Sequence, residues 1–384
     1  MLKIVILRYM LFAVVGAEAL ALPYILSEQS YVQFEFIKST TFLFQFLLLG
    51  SCSGYLTISV SEGDNSIKST NFLVLSTIYI ILVAMLLFIF YEYYWSLLAI
   101  IAMSALVIET LFKSKEKYFL AMAFKPIFSI ISMVVIVSLS SWDVRSVFLF
   151  SITLSILTYS VIFSIKEKFF TGLRRLNLEF RAFLDCFSRG IPINLSALLL
   201  YLQFYLDRTF IIENYESSAA SYSLAFSISQ IVFVAINMFS YVNIVDFGKC
   251  LKFHPERLHK LLADKLKSCF LFYALISLAS LIVIGLFVED FYGFSDLFKF
   301  SLVIIAVGGL VNVLISVSSL HTYLKTQRYN LIGLTFFILC SCLLNQFVFL
   351  EGEGTPLQLL LKSYFLLLCY SIVSIFIVIY KSAR

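Results

Sequence analysis

The chain reads as long apolar runs separated by short polar breaks. Twelve runs can be marked out, at 4–27, 39–60, 71–91, 93–113, 119–139, 146–165, 190–212, 219–245, 267–288, 297–320, 328–350 and 357–380. About 20 apolar residues in a helix cross a hydrocarbon core of roughly 30 Å, and a span must satisfy its own backbone polar groups. The pattern therefore predicts an all-α integral membrane protein with twelve transmembrane helices. The first run begins with basic residues, as a signal peptide does, but stays apolar beyond "AEALAL" (17–22) and reads as a retained helix.

The breaks alternate in charge. One set holds "KSKEK" (113–117), "KEKFFTGLRRLNLEFR" (166–181), "GKCLKFHPERLHKLLADKLK" (248–267) and the basic residues of 321–328 and 381–384. The other set holds Glu28, Glu35, Glu92, Asp143, Glu213, Glu216, Glu289, Asp290, Asp296, Glu351 and Glu353. Because cytoplasmic loops collect Lys and Arg, both termini are assigned to the cytoplasm.

The longest charged stretch splits the runs six from six. It predicts an N-terminal six-helix bundle (1–165), a basic amphipathic linker (166–189) and a C-terminal six-helix bundle (190–384) around a central cavity. "SEQSYVQFEF" (27–36) opens the second run much as "ESSAASYSLAF" (216–226) opens the eighth, and in that register Glu18 falls one residue from the counterpart of Asp207. Parallel repeats about an axis normal to the membrane are a transporter arrangement. Two cytoplasmic stretches, 177–189 and 254–267, put Phe180, Phe183, Leu184 and Phe187, and Leu258, Leu261, Leu262 and Leu266, on apolar faces. Both read as basic surface helices in the interface, the second started by Pro255.

Composition agrees with the pattern: 61% of residues are hydrophobic, 13% charged, and the mean hydropathy is +0.97. A soluble domain has about 45–50% apolar and about 25% charged residues. The seven Cys lie mostly within apolar runs, with Cys340 and Cys342 spaced C-x-C, and the three His are in or beside basic loops. No disulfide framework, zinc site or metalloprotease motif is implied.

Polar residues inside the runs then matter most, since an ionised side chain at the centre of a membrane helix costs about 2.5–3.5 kcal/mol. Arg189, Ser196, Gln203 and Asp207 share one line along the seventh run, and Arg208 points about 100° away, able to reach the outer interface or a neighbouring acid. Ser223, Ser227, Gln230, Asn237 and Tyr241 line the eighth run; Gly308, Asn312, Ser316 and Ser319 line the tenth; Lys125, Ser129 and Ser132 line the fifth. Any one stripe is explained by helix packing, but stripes in both halves point to a shared polar cavity. The charges form two tiers: Arg8, Glu109 and Lys125 nearer the cytoplasm, Glu18, Asp207 and Arg208 in the outer half. Glu109 is expected to pair with Arg8 or Lys125, leaving one cation for an anionic head group. Pro126 marks a bend whose freed backbone groups can line a cavity.

The twelve-helix plan, the basic loop at 166–189 and "RGIPINLSALLLYLQFYLDRTFIIENYESSAASYSLAF" (189–226) resemble the Wzx-type O-antigen flippases of the multidrug/oligosaccharidyl-lipid/polysaccharide exporter superfamily. Gly190, Pro192, Asp207, Arg208 and Tyr222 carry the likeness, with "SEQSYVQFEF" and "LLLGSCSG" (47–54) resembling the family's opening, although Val32 stands where a Gly is usual. The resemblance implies alternating-access transfer of an undecaprenyl-pyrophosphate-linked oligosaccharide to the outer leaflet of the bacterial inner membrane. It also implies polysaccharide polymerase and chain-length regulator as partners beside membrane lipids. No enzymatic role and no cofactor are expected on that resemblance, with H+ or Na+ coupling left open.

On that basis Arg8, Lys125, Arg208, Gln203, Asn237 and Asn312 are substrate-binding candidates, and Glu18 and Asp207 are coupling or gating carboxylates. A small-molecule or drug exporter, of the same superfamily or the major-facilitator type, is the alternative. Against the latter, "SVSEGDNSIKSTN" (59–71) lacks the Arg residues of the major-facilitator loop motif. A polymerase would carry a large outer loop, whereas the outer loops here are short and acidic, and no His-Asp constellation suggests an acyltransferase.

Overall fold

The computed structural model describes residues 2–62, 66–167, 179–233, 257–294, 296–314, 340, 343 and 355–382. Among the described residues all regular structure is helical. The helices are α1 Leu2–Ile25, α2 Glu28–Leu43, α3 Ser51–Glu62, α4 Ser66–Phe90, α5 Tyr93–Ser114, α6 Tyr118–Ala121, α7 Phe124–Ser138, α8 Val144–Glu167 and α9 Phe180–Asn214. There follow α10 (216–233), α11 Leu258–Val283, α12 Leu297–Leu314 and α13 Pro356–Ser382. Among the described residues six helical segments are long and apolar enough to cross a membrane: Lys68–Phe90, Tyr93–Ser114, Val144–Lys166, Leu266–Tyr292, Leu297–Leu314 and Pro356–Val373. A bent pair, Glu28–Leu48 with Ser51–Ser59 at 58°, makes a seventh if counted as one span. The run at 328–350 lies almost wholly outside the described residues.

Two compact units are present. The first comprises Met1–Glu18 and Gln33–Tyr201. Its interior is aromatic: Phe34 meets Phe128 and Phe148, and Phe112, Phe124 and Tyr159 form a second group. Here the second apolar run differs from its predicted bounds of 39–60, because α2 starts at Glu28. The charges of Glu28, Glu35 and Lys38 lower the local hydropathy without ending the helix. The chain then bends after the 3-10 turn Phe44–Leu48, where Leu49 (φ 49°) and Gly50 (φ 84°) both take left-handed backbone.

The bend is fastened by α9. Asn194 Nδ2 donates to the Phe46 carbonyl at 3.0 Å, and the Tyr201 hydroxyl to the Ser39 carbonyl at 2.9 Å. Gly190 crosses Gly50 and Gly54 so closely that a Cβ at Gly190 would collide with the Gly50 carbonyl oxygen. The glycine is therefore a packing requirement of this crossing. A separate surface helix at 177–189 is not found. Residues from Phe180 belong to α9, with Phe183 and Phe187 packed against Phe72 and Tyr79 and Phe180 and Leu184 exposed. The face predicted to rest on lipid is thus half used inside the protein. Likewise Leu258, Leu261, Leu262 and Leu266 belong to α11, which continues into a span, while Pro255 lies outside the described residues.

At the predicted bend, α6 ends and α7 begins just before Pro126, which has no N–H to give and cannot follow an unbroken helix without a clash. The break is braced from α8: the buried Tyr159 hydroxyl is placed to donate to Leu120 O at 3.0 Å and Ala121 O at 3.2 Å.

The second unit comprises Ala19–Val32 and Leu202–Arg384. Its α11 runs through a π-helical turn, Ile284–Val288, and α12 contains another, Leu302–Gly308. The wider turn leaves carbonyls poorly aligned, and the Tyr273 hydroxyl takes up those of Ile305 and Ala306. The Tyr292 hydroxyl donates to Leu20 O, and Tyr24 stacks on Phe291.

Candidate functional site

Among the described residues, each unit contains one buried charged cluster. In the first, Glu18 of α1 is 0% exposed and its carboxylate is fully engaged. The Ser129 hydroxyl donates to Oε2 at 2.7 Å, the Ser132 hydroxyl to Oε1 at 2.9 Å, and Lys38 Nζ to Oε2 at 3.1 Å. Lys38 also reaches Glu35 Oε1 at 3.2 Å, and Glu35 is buried too. The spacing explains the arrangement: Glu35 and Lys38 are three apart on α2, and Ser129 and Ser132 three apart on α7, so each pair shares a helix face. The stripe predicted on the fifth run is therefore real in part. Its serines point at Glu18, whereas Lys125 is exposed with its ammonium 5.0 Å from the Phe42 ring centroid.

Glu109 pairs with Lys113 at 2.5 Å, one turn along α5, where the sequence predicted Arg8 or Lys125 as its partner; the Arg8 side chain lies outside the description. A partner on the same helix is available without any tertiary movement, which is why it wins. Among the described residues no carboxylate lies within ion-pair distance of Lys125.

In the second unit, Asp207 and Arg208 are 1% and 2% exposed. Arg208 does not reach the interface, as one reading of its direction allowed; its guanidinium carbon stands 5.5 Å from the Phe226 ring centroid. The Ser363 hydroxyl of α13 donates to Asp207 Oδ1 at 3.3 Å. Around them Phe204 packs on Phe226 and Tyr364, and Tyr222 packs on Phe226 and Phe300. Tyr222 and Tyr364 are fully buried, and their hydroxyls have no hydrogen-bond partner among the described residues. A charge beside π-faces and hydroxyls is held by dipoles and quadrupoles in place of water.

The remaining candidates are placed less fully. Arg8 and Gln203 lie on α1 and α9, with their side chains outside the description; Asn312 is half-buried on α12; Asn237 lies outside the described residues. Sequence reasoning assigned Glu35 to an outer loop and passed over Lys38, Ser363 and Tyr364. A signal for the first pair existed, since E-x-x-K is a helix-face ion pair. For the second, "KSY" (362–364) interrupts an otherwise apolar run.

No family model matches the sequence, and no curated protein matches it. Solved structures do resemble it in fold. The chain is 15% identical to an inward-facing multidrug resistance MATE family transporter of the MOP superfamily, with a TM-score of 0.65, covering 98% of this chain and 94% of that one. An outward-facing structure of such a transporter gives 14% identity, TM-score 0.66 and the same coverage. A mutant MATE transporter from Vibrio cholerae gives 12% identity and TM-score 0.68, covering 98% and 94%. At these identities the likeness is one of fold: an all-helical membrane protein built like the transporters of that superfamily.

Proposed function

We propose that the protein is a flippase that carries an undecaprenyl-pyrophosphate-linked oligosaccharide from the inner to the outer leaflet of the bacterial inner membrane. Two six-helix bundles, 1–165 and 190–384 joined by 166–189, alternate in access, with both termini cytoplasmic. The observation that carries the substrate class is Lys125. It is an exposed residue on an apolar helix, its ammonium 5.0 Å from the Phe42 ring centroid, with no carboxylate in ion-pair reach among the described residues. An intramembrane cation left available in this way suits a phosphate-bearing head group. Arg8 is assigned to the same contact, Gln203, Asn237 and Asn312 to the sugars, Arg208 to a later contact or gate, and Glu18 and Asp207 to coupling or gating. Polymerase and chain-length regulator would act on the product.

The second reading, export of small molecules or drugs, is favoured by the fold's likeness to multidrug resistance transporters. Deleting the gene separates the two. Lipid-linked repeat units trapped on the cytoplasmic leaflet, with surface polysaccharide lost, support the flippase. An unchanged surface favours small-molecule export, and exported but unjoined repeats indicate a polymerase. In complementation, Lys125→Ala should lower flipping about tenfold, the order expected for one charge-assisted contact. Its thermal stability should be unchanged, and Lys125→Arg should restore most of the rate.

A further inference from the structure

The first unit's cluster is arranged as a cation site, and its cation is already present. The Lys38 ammonium lies 3.1 Å from Glu18 and 3.2 Å from Glu35, bracketed by two carboxylates from different helices. Glu18 is completely buried and the Lys38 side chain only 16% exposed. The Ser129 and Ser132 hydroxyls donate to Glu18 now, yet a hydroxyl also carries two lone pairs and can turn them towards a cation. Two carboxylates and two hydroxyls form an all-oxygen donor set suited to a hard inorganic cation.

We infer that Lys38 is a resident counter-ion, occupying the place where Glu18, Glu35, Ser129 and Ser132 would otherwise bind a monovalent cation such as sodium. A tethered ammonium cannot diffuse away, so the native site excludes sodium, and any coupling through Glu18 does not use it. Removing Lys38 takes away the ammonium that Glu18 and Glu35 share, and a sodium ion can take its place. This inference depends on the geometry of the first unit and not on the identity of the transported molecule.

The test uses the purified full-length protein in detergent, with thermal unfolding followed in sodium chloride and in choline chloride at equal ionic strength. Wild type should melt at the same temperature in both salts. Lys38→Met should gain a saturable sodium-dependent rise of roughly 2–4 °C, as ligand linkage gives for a site filled well above its dissociation constant. The rise should vanish in Glu18→Gln/Lys38→Met, and Lys38→Arg should stay insensitive. Should Lys38→Met not fold, Glu35→Gln/Lys38→Met carries one fewer buried charge and should show a smaller sodium response. A sodium-dependent rise in wild type that Glu18→Gln abolishes would overturn the inference. So would the absence of any sodium response in both Lys38→Met variants when folded. Either result leaves the flippase reading standing, since that is decided by the leaflet distribution of repeat units.

Discussion

The two buried charge clusters solve the same problem in opposite ways. In the first unit Glu18, Glu35 and Lys38 come from two helices, serines arrive from a third, and the ammonium and both hydroxyls donate hydrogen bonds to carboxylates. In the second unit Asp207 and Arg208 are neighbours on one helix, and their surroundings are largely aromatic. Adjacent helical residues project about 100° apart, so each must find its own partners on other helices. Ser363 serves Asp207 and the Phe226 ring faces Arg208. The charged groups of the first unit thus meet one another directly across two helices, whereas those of the second draw an aromatic ring and a serine from other helices.

The comparison is best broken by removing one cation from each cluster. Lys38→Met and Arg208→Met should each cost about 3–5 kcal/mol, the range for leaving a buried charge without its partner. The two should differ in rescue. Adding Glu35→Gln to Lys38→Met should recover much of the loss, because it removes one of the two carboxylates that shared the ammonium. Adding Asp207→Asn to Arg208→Met should recover little, because the cation–π contact and the volume of a fully buried side chain are still missing. Thermal melts of the four variants in matched detergent decide it, and equal rescue in both units would erase the distinction.

A smaller effect comes from the hydroxyls. Ser129→Ala and Ser132→Ala each remove a donor from a carboxylate with no access to water, and should cost about 1–3 kcal/mol. Ser363→Ala, whose bond to Asp207 is longer at 3.3 Å, should cost about 1 kcal/mol. A larger loss for Ser363 than for Ser129 would show that the second cluster depends on directed hydrogen bonds after all.

How much of this was readable beforehand follows from where each signal resides. Spans such as α4, α5 and α8 are evident because one face meets lipid and the core face is also apolar, so the run is continuous. The start of α2 was hidden because Glu28, Glu35 and Lys38 look like a loop until Glu18 and the serines of α7 are placed beside them. The serines come from a helix far along the chain, and Glu18 from the helix before. Ser129 and Ser132 were legible as a stripe, since helical spacing is local, but their target was not. The Gly190 in the family-like motif was noticed for its resemblance, while its physical role, a crossing with Gly50 and Gly54, required the fold. Both charged members of the Asp-Arg pair were noticed, and the burial of Arg208 was not, because nothing local to the dipeptide announces Phe226 above it.

The least effect should come from Glu109, and it sharpens the contrast by supplying a baseline. This carboxylate also sits within an apolar run and also has a lysine partner, yet Lys113 is one turn along the same helix and both side chains retain access to solvent, at 26% and 31% exposure. Each charge keeps part of its hydration, so neither depends on the other for neutralisation. An i,i+4 pair of this kind contributes about 0.2–0.5 kcal/mol. Glu109→Gln should therefore shift the melting temperature by about 1 °C or less, and raising the salt concentration should reduce even that difference. Glu18→Gln under the same conditions should show a loss several times larger and nearly indifferent to salt, because buried charges are screened far less. A Glu109 effect as large as that of Glu18 would mean that being within a membrane span, rather than being sealed among partners from other helices, governs the energetics of these acids.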